Sequence, residues 1–221
     1  MRRRIIAACV LVIYSVSFLG CSHPLMIKNI GMYQPEFINS SNKTCSIGLI
    51  VETGSPVEGR LASAIANNLK KNGITVYYPY YPNTVDSPTV DYVAKINFSE
   101  TYKGSGMNFL VNFPGFIIFA PALFGYGYNI KYEYNIDITQ QASGTAFPRL
   151  HIPIDLKIRH AASNRTWTEI SWLEVGVIAL IGGIVFIQYD NSVTGIVLDQ
   201  YENKLGDYVA SKITQLVFAQ K

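Results

Sequence analysis

Three histidines, three cysteines and a scatter of carboxylates are the side chains of this chain that could do chemistry. His151 and His160 share one alternating stretch but lie nine residues apart. On a strand an odd spacing sends two side chains to opposite faces, whereas two metal ligands must share one. His23 lies far upstream in a segment rich in Ser, Asn and Pro. The histidines therefore point to no metal site. Nucleophilic chemistry has no better support, because the chain contains neither a Gly-x-Ser-x-Gly elbow nor a phosphate-cradling glycine loop. Gly104-Ser105-Gly106 precedes an apolar stretch and reads as a hinge, while Glu133 and Asp155 fall on polar strand registers where a carboxylate needs no special role. No catalytic residue, metal ligand or cofactor is expected, and the chain reads as non-enzymatic.

The beginning of the chain is more explicit. Arg2, Arg3 and Arg4 form a basic head, an uncharged apolar run follows from Ile5 to Phe18, and Leu19-Gly20-Cys21 closes it. A charged region, an apolar region too short for a comfortable span and a small-residue end are the three parts of a secretory signal. Phe18-Leu19-Gly20-Cys21 resembles the lipobox of bacterial lipoproteins, with Phe18 where that class prefers Leu. The resemblance covers only this label. It implies that residues 1–20 are a signal peptide, that Cys21 is lipidated and becomes the first mature residue, and that the partner is membrane lipid. Ser22, standing where inner-membrane lipoproteins of enteric-type bacteria carry Asp, implies an outer-membrane address facing the periplasm. Cys9 leaves with the signal, so Cys45 alone remains as a thiol and no internal disulfide is expected. Cys45 reads as a small buried hydrophobe beside the first strand.

Removing the three arginines leaves 15 basic side chains against 15 acidic, a near-neutral mature chain. That balance lacks the basic footprint which phosphate contacts of nucleic acid require, so nucleic acid is not an expected partner. Charged residues make up 15% of the chain, well below the roughly 25% usual for a soluble domain.

Residues 21–44 show no sustained period and read as a tether, part of which, such as Leu25-Met26-Ile27, could dock on the domain. One domain is expected from 45 to 221. It opens with a strand at Ser46–Glu52 and a well-punctuated helix: Ser55 as cap, Pro56 at the first position, Glu58 completing a capping box and Gly73 as the stop. Val57, Leu61, Ile65 and Leu69 make its apolar stripe. Ile74–Tyr78 completes a βαβ unit, and Pro79, Pro82 and Pro88 with four tyrosines mark a loop. That loop reads as rings packing on prolines, with a ligand platform as the alternative. Alternation then gives strands at 92–99, 128–139 and 150–159, with Pro153 placing the last at an edge or bulge. Residues 165–172 read as a sixth strand, and 193–218 as an amphipathic helix. The fold class is α+β, a mainly antiparallel sheet of about six strands with a terminal helix. Its layout is similar to the periplasmic domains of several envelope lipoproteins, the curli secretion lipoproteins among them.

Two insertions do not suit a soluble domain. Met107–Gly127 is uncharged and broken by Pro114 and Pro121; Val175–Ile187 carries three glycines. Neither has a strand or amphipathic period, so each is apolar all round and must be buried in something. The second, about 20 Å as a helix, is too short for a hydrocarbon core of roughly 30 Å. Three burials are open: lipid, the chain's own core, or an interface in a homo-oligomer or with other envelope proteins. Leaving from one end of an antiparallel sheet, the two would lie side by side, with Tyr126, Tyr128, Tyr132 and Trp172 as interface rings. The membrane-contact candidates are Phe109, Phe113, Phe116, Phe119 and Phe124 in the first segment and Ile178, Ile181, Ile184 and Phe186 in the second. Phe113-Pro114-Gly115-Phe116, followed by Gly125-Tyr126-Gly127-Tyr128, is similar to a pattern in small envelope lipoproteins. The leading function is an acyl-anchored envelope lipoprotein with a structural or assembly role and a further membrane contact; the alternative is a periplasmic binding module for a lipid or peptide.

Overall fold

The computed structural model describes residues 23–36, 45–52, 54–82, 84–108, 111, 124–161 and 189–219. The fold is α+β. In chain order it comprises β1 (His23–Ile27), a single 3-10 turn (Ile30–Met32), β2 (Ser46–Val51), α1 (Pro56–Lys71), β3 (Thr75–Tyr77), β4 (Tyr92–Gly104), β5 (Tyr126–Gln140), β6 (Leu150–Ala161) and α2 (Asn191–Ala219). The six strands form one sheet in the order β1-β6-β5-β4-β2-β3. β2 pairs in parallel with β3 and with β4, as a βαβ unit requires. β5 runs antiparallel to β4, since Gln141 N donates to Asp91 O at one end and Ser105 N to Gly127 O at the other. β6 returns antiparallel along β5, with Arg149 bridging Asp137 and His151 bonding Asn135 across the pair. The chain divides into two compact units: Met1–Lys28, Tyr102–Asn129 and Lys157–Asp190 form the first, and Asn29–Thr101, Ile130–Leu156 and Asn191–Lys221 the second.

In the second unit the helices pack on each other and α1 also on β2 and β3. The stripe expected on α1 is real but wider. Leu61, Ile65 and Leu69 are buried together with Ala62, Ala64 and Ala66, while Val57 at the first turn is only half-buried. Arg60 ties the pair from outside, meeting Asp199 at 2.9 Å and Glu202 at 2.8 Å on α2. The capping box forms with one difference: Ser55 Oγ accepts from Glu58 N at 3.3 Å, and the Glu58 carboxylate reaches one residue further back, to Gly54 N at 2.9 Å. Ser55→Ala should destabilise the fold by about 1 kcal/mol, measured as a lower urea midpoint at unchanged slope. No change would show that the Glu58 bond alone organises this helix start.

Cys45 is buried beside β2, as its type suggests. In the proline loop Tyr80 is buried with its ring directly over Gly48 of β2, and its hydroxyl donates to Pro88 O at 3.2 Å. For that ring the packing reading holds. Tyr81 points outward.

The beginning of the expected tether belongs to the sheet. Residues 23–27 pair as β1 with the end of β6, His23 opposite Ala161 and Ile27 opposite Ile158, across a register shift. Lys28 N continues the pairing to Lys157 O at 2.9 Å. In the second unit Tyr33, buried, takes over where the strand stops: its hydroxyl donates to Asp155 O and accepts from Asp155 N at 2.8 Å. Pro153 shares the register of Asp155 and Lys157 and lies beyond the residues that β1 reaches, so its missing donor breaks no ladder. The sixth strand expected at 165–172 lies outside the described residues, and β1 is the sixth strand that is seen.

Candidate functional site

The first unit holds both roots of the first apolar segment. Segment one leaves from the end of β4 and returns into β5; the description breaks off after β6 at Ala161 and resumes at Tyr189. Pairing of Ser105 with Gly127 and of β1 with Ala161 brings both ends of the first segment and the end of β6 to one end of the strands; the second segment, 175–187, lies outside the described residues, and with it the expected side-by-side arrangement.

Asn108 closes the root of segment one. Its buried side-chain amide donates to Gly127 O at 2.9 Å and accepts from Gly127 N at 2.6 Å, completing both backbone groups as a strand neighbour would. Ser105 Oγ accepts from Met107 N at 3.3 Å. The hinge expected at Gly104-Ser105-Gly106 is therefore a tied turn, because its backbone and hydroxyl are held by hydrogen bonds. Gly125 has φ of 63°, and a Cβ there would meet the His23 ring at 2.9 Å. Only glycine tolerates that conformation together with that approach. Arg159 then clasps the returning chain, donating to Phe124 O at 2.8 Å. His160 donates through Nδ1 to His23 O at 2.9 Å, which secures the start of β1. Burial holds the His160 imidazole below its ordinary range, so it is neutral at pH 7; the bond to His23 and the charge of Asp190 oppose that shift more weakly.

The Gly-Tyr-Gly-Tyr stretch acquires a physical meaning here. Its tyrosines, Tyr126 and Tyr128, point to the buried face, each at most 2% exposed, and Tyr128 meets Tyr189 edge-on at 5.6 Å. Tyr189 also stacks on Tyr102 at 4.8 Å. Tyr132, in the second unit, is fully buried as well. This corrects the reading of these rings as interface anchors: they occupy the inward register of β5, where period two drives them into the core. Trp172 lies outside the described residues.

Of the membrane-contact candidates, Phe124 is described, and it stands 57% exposed. Met26 and Met107 of the same unit are exposed to a similar degree. Cys21, Phe109, Phe113, Phe116, Phe119, Ile178, Ile181, Ile184 and Phe186 lie outside the described residues. Among the described residues no helix is long and apolar enough to cross a membrane, which says nothing of strands. Among them, too, no group of three His, Cys, Asp or Glu side chains could hold a metal ion. Sequence reasoning missed Asn108, Arg159 and His160 as fasteners of the roots. Each acts on backbone atoms distant in sequence, and such partners leave no local pattern.

No protein-family model and no curated protein matches the chain. Among solved structures, a minor lipoprotein from Acinetobacter baumannii is similar at a TM-score of 0.34 and 14% identity, over 80% of this chain and 92% of that one. The PelC dodecamer from Paraburkholderia phytofirmans is similar at a TM-score of 0.27 and 12% identity, over 76% of this chain and 99% of that one. Likeness at this level carries no functional assignment.

Proposed function

We propose that the chain is a non-enzymatic bacterial envelope lipoprotein, acylated at Cys21 and held at the outer membrane facing the periplasm, whose two apolar segments make a second contact with the bilayer. The observation that carries this reading is the fastening of β1. Cys21 precedes His23 by two residues, and two residues of chain reach no further than about 7 Å. An acylated Cys21 would thus sit beside the end of the sheet from which the first apolar segment departs, rather than on a long leash. The exposed Phe124 at that end favours contact with lipid over burial in the same subunit. About a dozen large apolar side chains, at roughly 1.5–3 kcal/mol each when buried, exceed what one acyl chain contributes. Pro114 and Pro121 raise the cost of unpaired backbone in hydrocarbon, which favours shallow insertion over a full span.

The test is a chain that begins at Ser22 behind a cleavable signal. It should remain in the membrane pellet through high salt and leave only with detergent, and Ile181→Asp with Ile184→Asp should release it while it stays folded. A soluble monomer without detergent would assign the segments to the core. Stoichiometric lipid retained by such a monomer would identify a binding module instead.

A further inference from the structure

Around the end of β6 the described residues of the first unit are mostly basic, although the unit as a whole also contains Arg165, Glu169 and Glu174. Its described residues include four cations, Lys28, Lys103, Lys157 and Arg159, and one carboxylate, Asp190. Lys28, Lys157 and Arg159 line a crevice of about 220 Å³ whose remaining wall includes Ser105, Gly127 and Asn129. Cations backed by hydroxyl and amide donors suit a phosphate, since lysines supply point charge and an arginine fork supplies directed N–H groups. The surroundings narrow the source. Met26, Met107 and Phe124, in the same unit, are each more than half exposed, and Arg159 itself holds the carbonyl of Phe124. Basic side chains interleaved with exposed large apolar ones fit a bilayer surface, where headgroups lie above acyl chains. A soluble anion would give no reason for the apolar part.

We propose that this crevice binds the phosphate of an anionic phospholipid headgroup in the leaflet that holds the acyl anchor. Lys28 and Lys157 supply charge, and Arg159, Ser105 and Asn129 supply hydrogen bonds. The proposal rests on the membrane-contact reading above and adds a lipid class to it. It also gives β1 a second role: β1 delivers Lys28 to Lys157 two residues after its exposed Met26.

The experiment uses the mature chain carrying Cys21→Ser, which keeps every described residue, with vesicles of neutral phosphatidylcholine alone or with phosphatidylglycerol added. The unaltered crevice should bind the anionic vesicles more tightly, with a preference that shrinks as salt rises. Lys28→Gln with Lys157→Gln should weaken anionic binding about 30-fold, near five-fold for each lysine lost at the surface, and leave binding to neutral vesicles unchanged. Arg159 is spared because its loss would also free the chain at Phe124. Lys70→Gln with Lys71→Gln, the same charge change at the exposed end of α1, is the control and should bind as the parent does. Equal binding of the parent to both vesicle types overturns the headgroup site and leaves membrane contact standing. Equal losses in both double variants also overturn it, since net charge would then explain the preference. Binding to neither vesicle overturns the site and the membrane-contact reading together. Circular dichroism of each variant checks that its fold is kept.

Discussion

Gly206→Val should destabilise the protein by about 3 kcal/mol, read as a fall in the urea midpoint at constant slope. Gly206 is buried in α2 where it crosses α1, and a Cβ at that position would lie 2.7 Å from the Cβ of Ala64, 2.8 Å from its carbonyl carbon and 3.0 Å from Ile65 N. Two of those three atoms are backbone, so no rotamer change relieves the clash. The helices would have to separate, yet Leu61, Ile65 and Leu69 are at most 1% exposed and Arg60 holds Asp199 and Glu202 across the same seam. Glycine inside a helix is less favourable than alanine by roughly 0.5–1 kcal/mol, so its presence at a crossing signals close approach. Gly206→Ala should therefore lose stability despite its better helix propensity. Ala64→Gly in the same chain should recover part of the loss, because it removes one of the three contacts. A stabilised Gly206→Ala would mean that the helices stand further apart than this packing requires.

The parts of the fold that the sequence makes legible are those whose signal is local and repeated. Tyr128 to Ile138 alternates without a break, and all its even positions are buried. The punctuation of α1, from Ser55 to Gly73, marks its ends to within a residue. The alternation of β4 is legible only to Ser99, because its inward register then passes through Glu100, a charged residue that ends the apparent pattern although the strand runs to Gly104. β1 was hidden for another reason. His23-Pro24-Leu25-Met26-Ile27 is short, contains a proline and has only one buried residue. It is a strand because β6 offers it an edge, a tertiary cause with no period of its own. The fasteners Asn108, Arg159 and His160 act through backbone carbonyls far away in sequence, so their roles required coordinates.

Tyr134→Phe should make the protein more stable at neutral pH and much more resistant to alkali. The Tyr134 ring is buried on β5, 1% exposed, with Phe98 at 5.1 Å, and among the described residues its hydroxyl has no hydrogen-bond partner. An unpaired buried hydroxyl carries a desolvation penalty without a compensating bond, so its removal should add about 1 kcal/mol below pH 9. The larger effect lies above that. Burial alone drives the phenol far above its ordinary value of 10.0, with no neighbouring charge contributing. In the unfolded chain Tyr134 loses its proton near pH 10, whereas in the folded chain it keeps it. The folded state then binds the extra proton, so the contribution of this group is intact below pH 10 and is lost as pH rises beyond it. One such group changes stability by about 1.4 kcal/mol per pH unit in that window. Buried Tyr33 and half-buried Tyr78, whose values are also raised mainly by burial, are the same in parent and variant, so the difference between the two proteins isolates Tyr134. Urea melts at pH 8, 10, 11 and 11.5 should show the two stabilities diverging from pH 10 upward. Parallel curves would mean that the hydroxyl reaches solvent or a partner in the folded protein, and that the inward face of β5 is wetter than its tyrosines suggest.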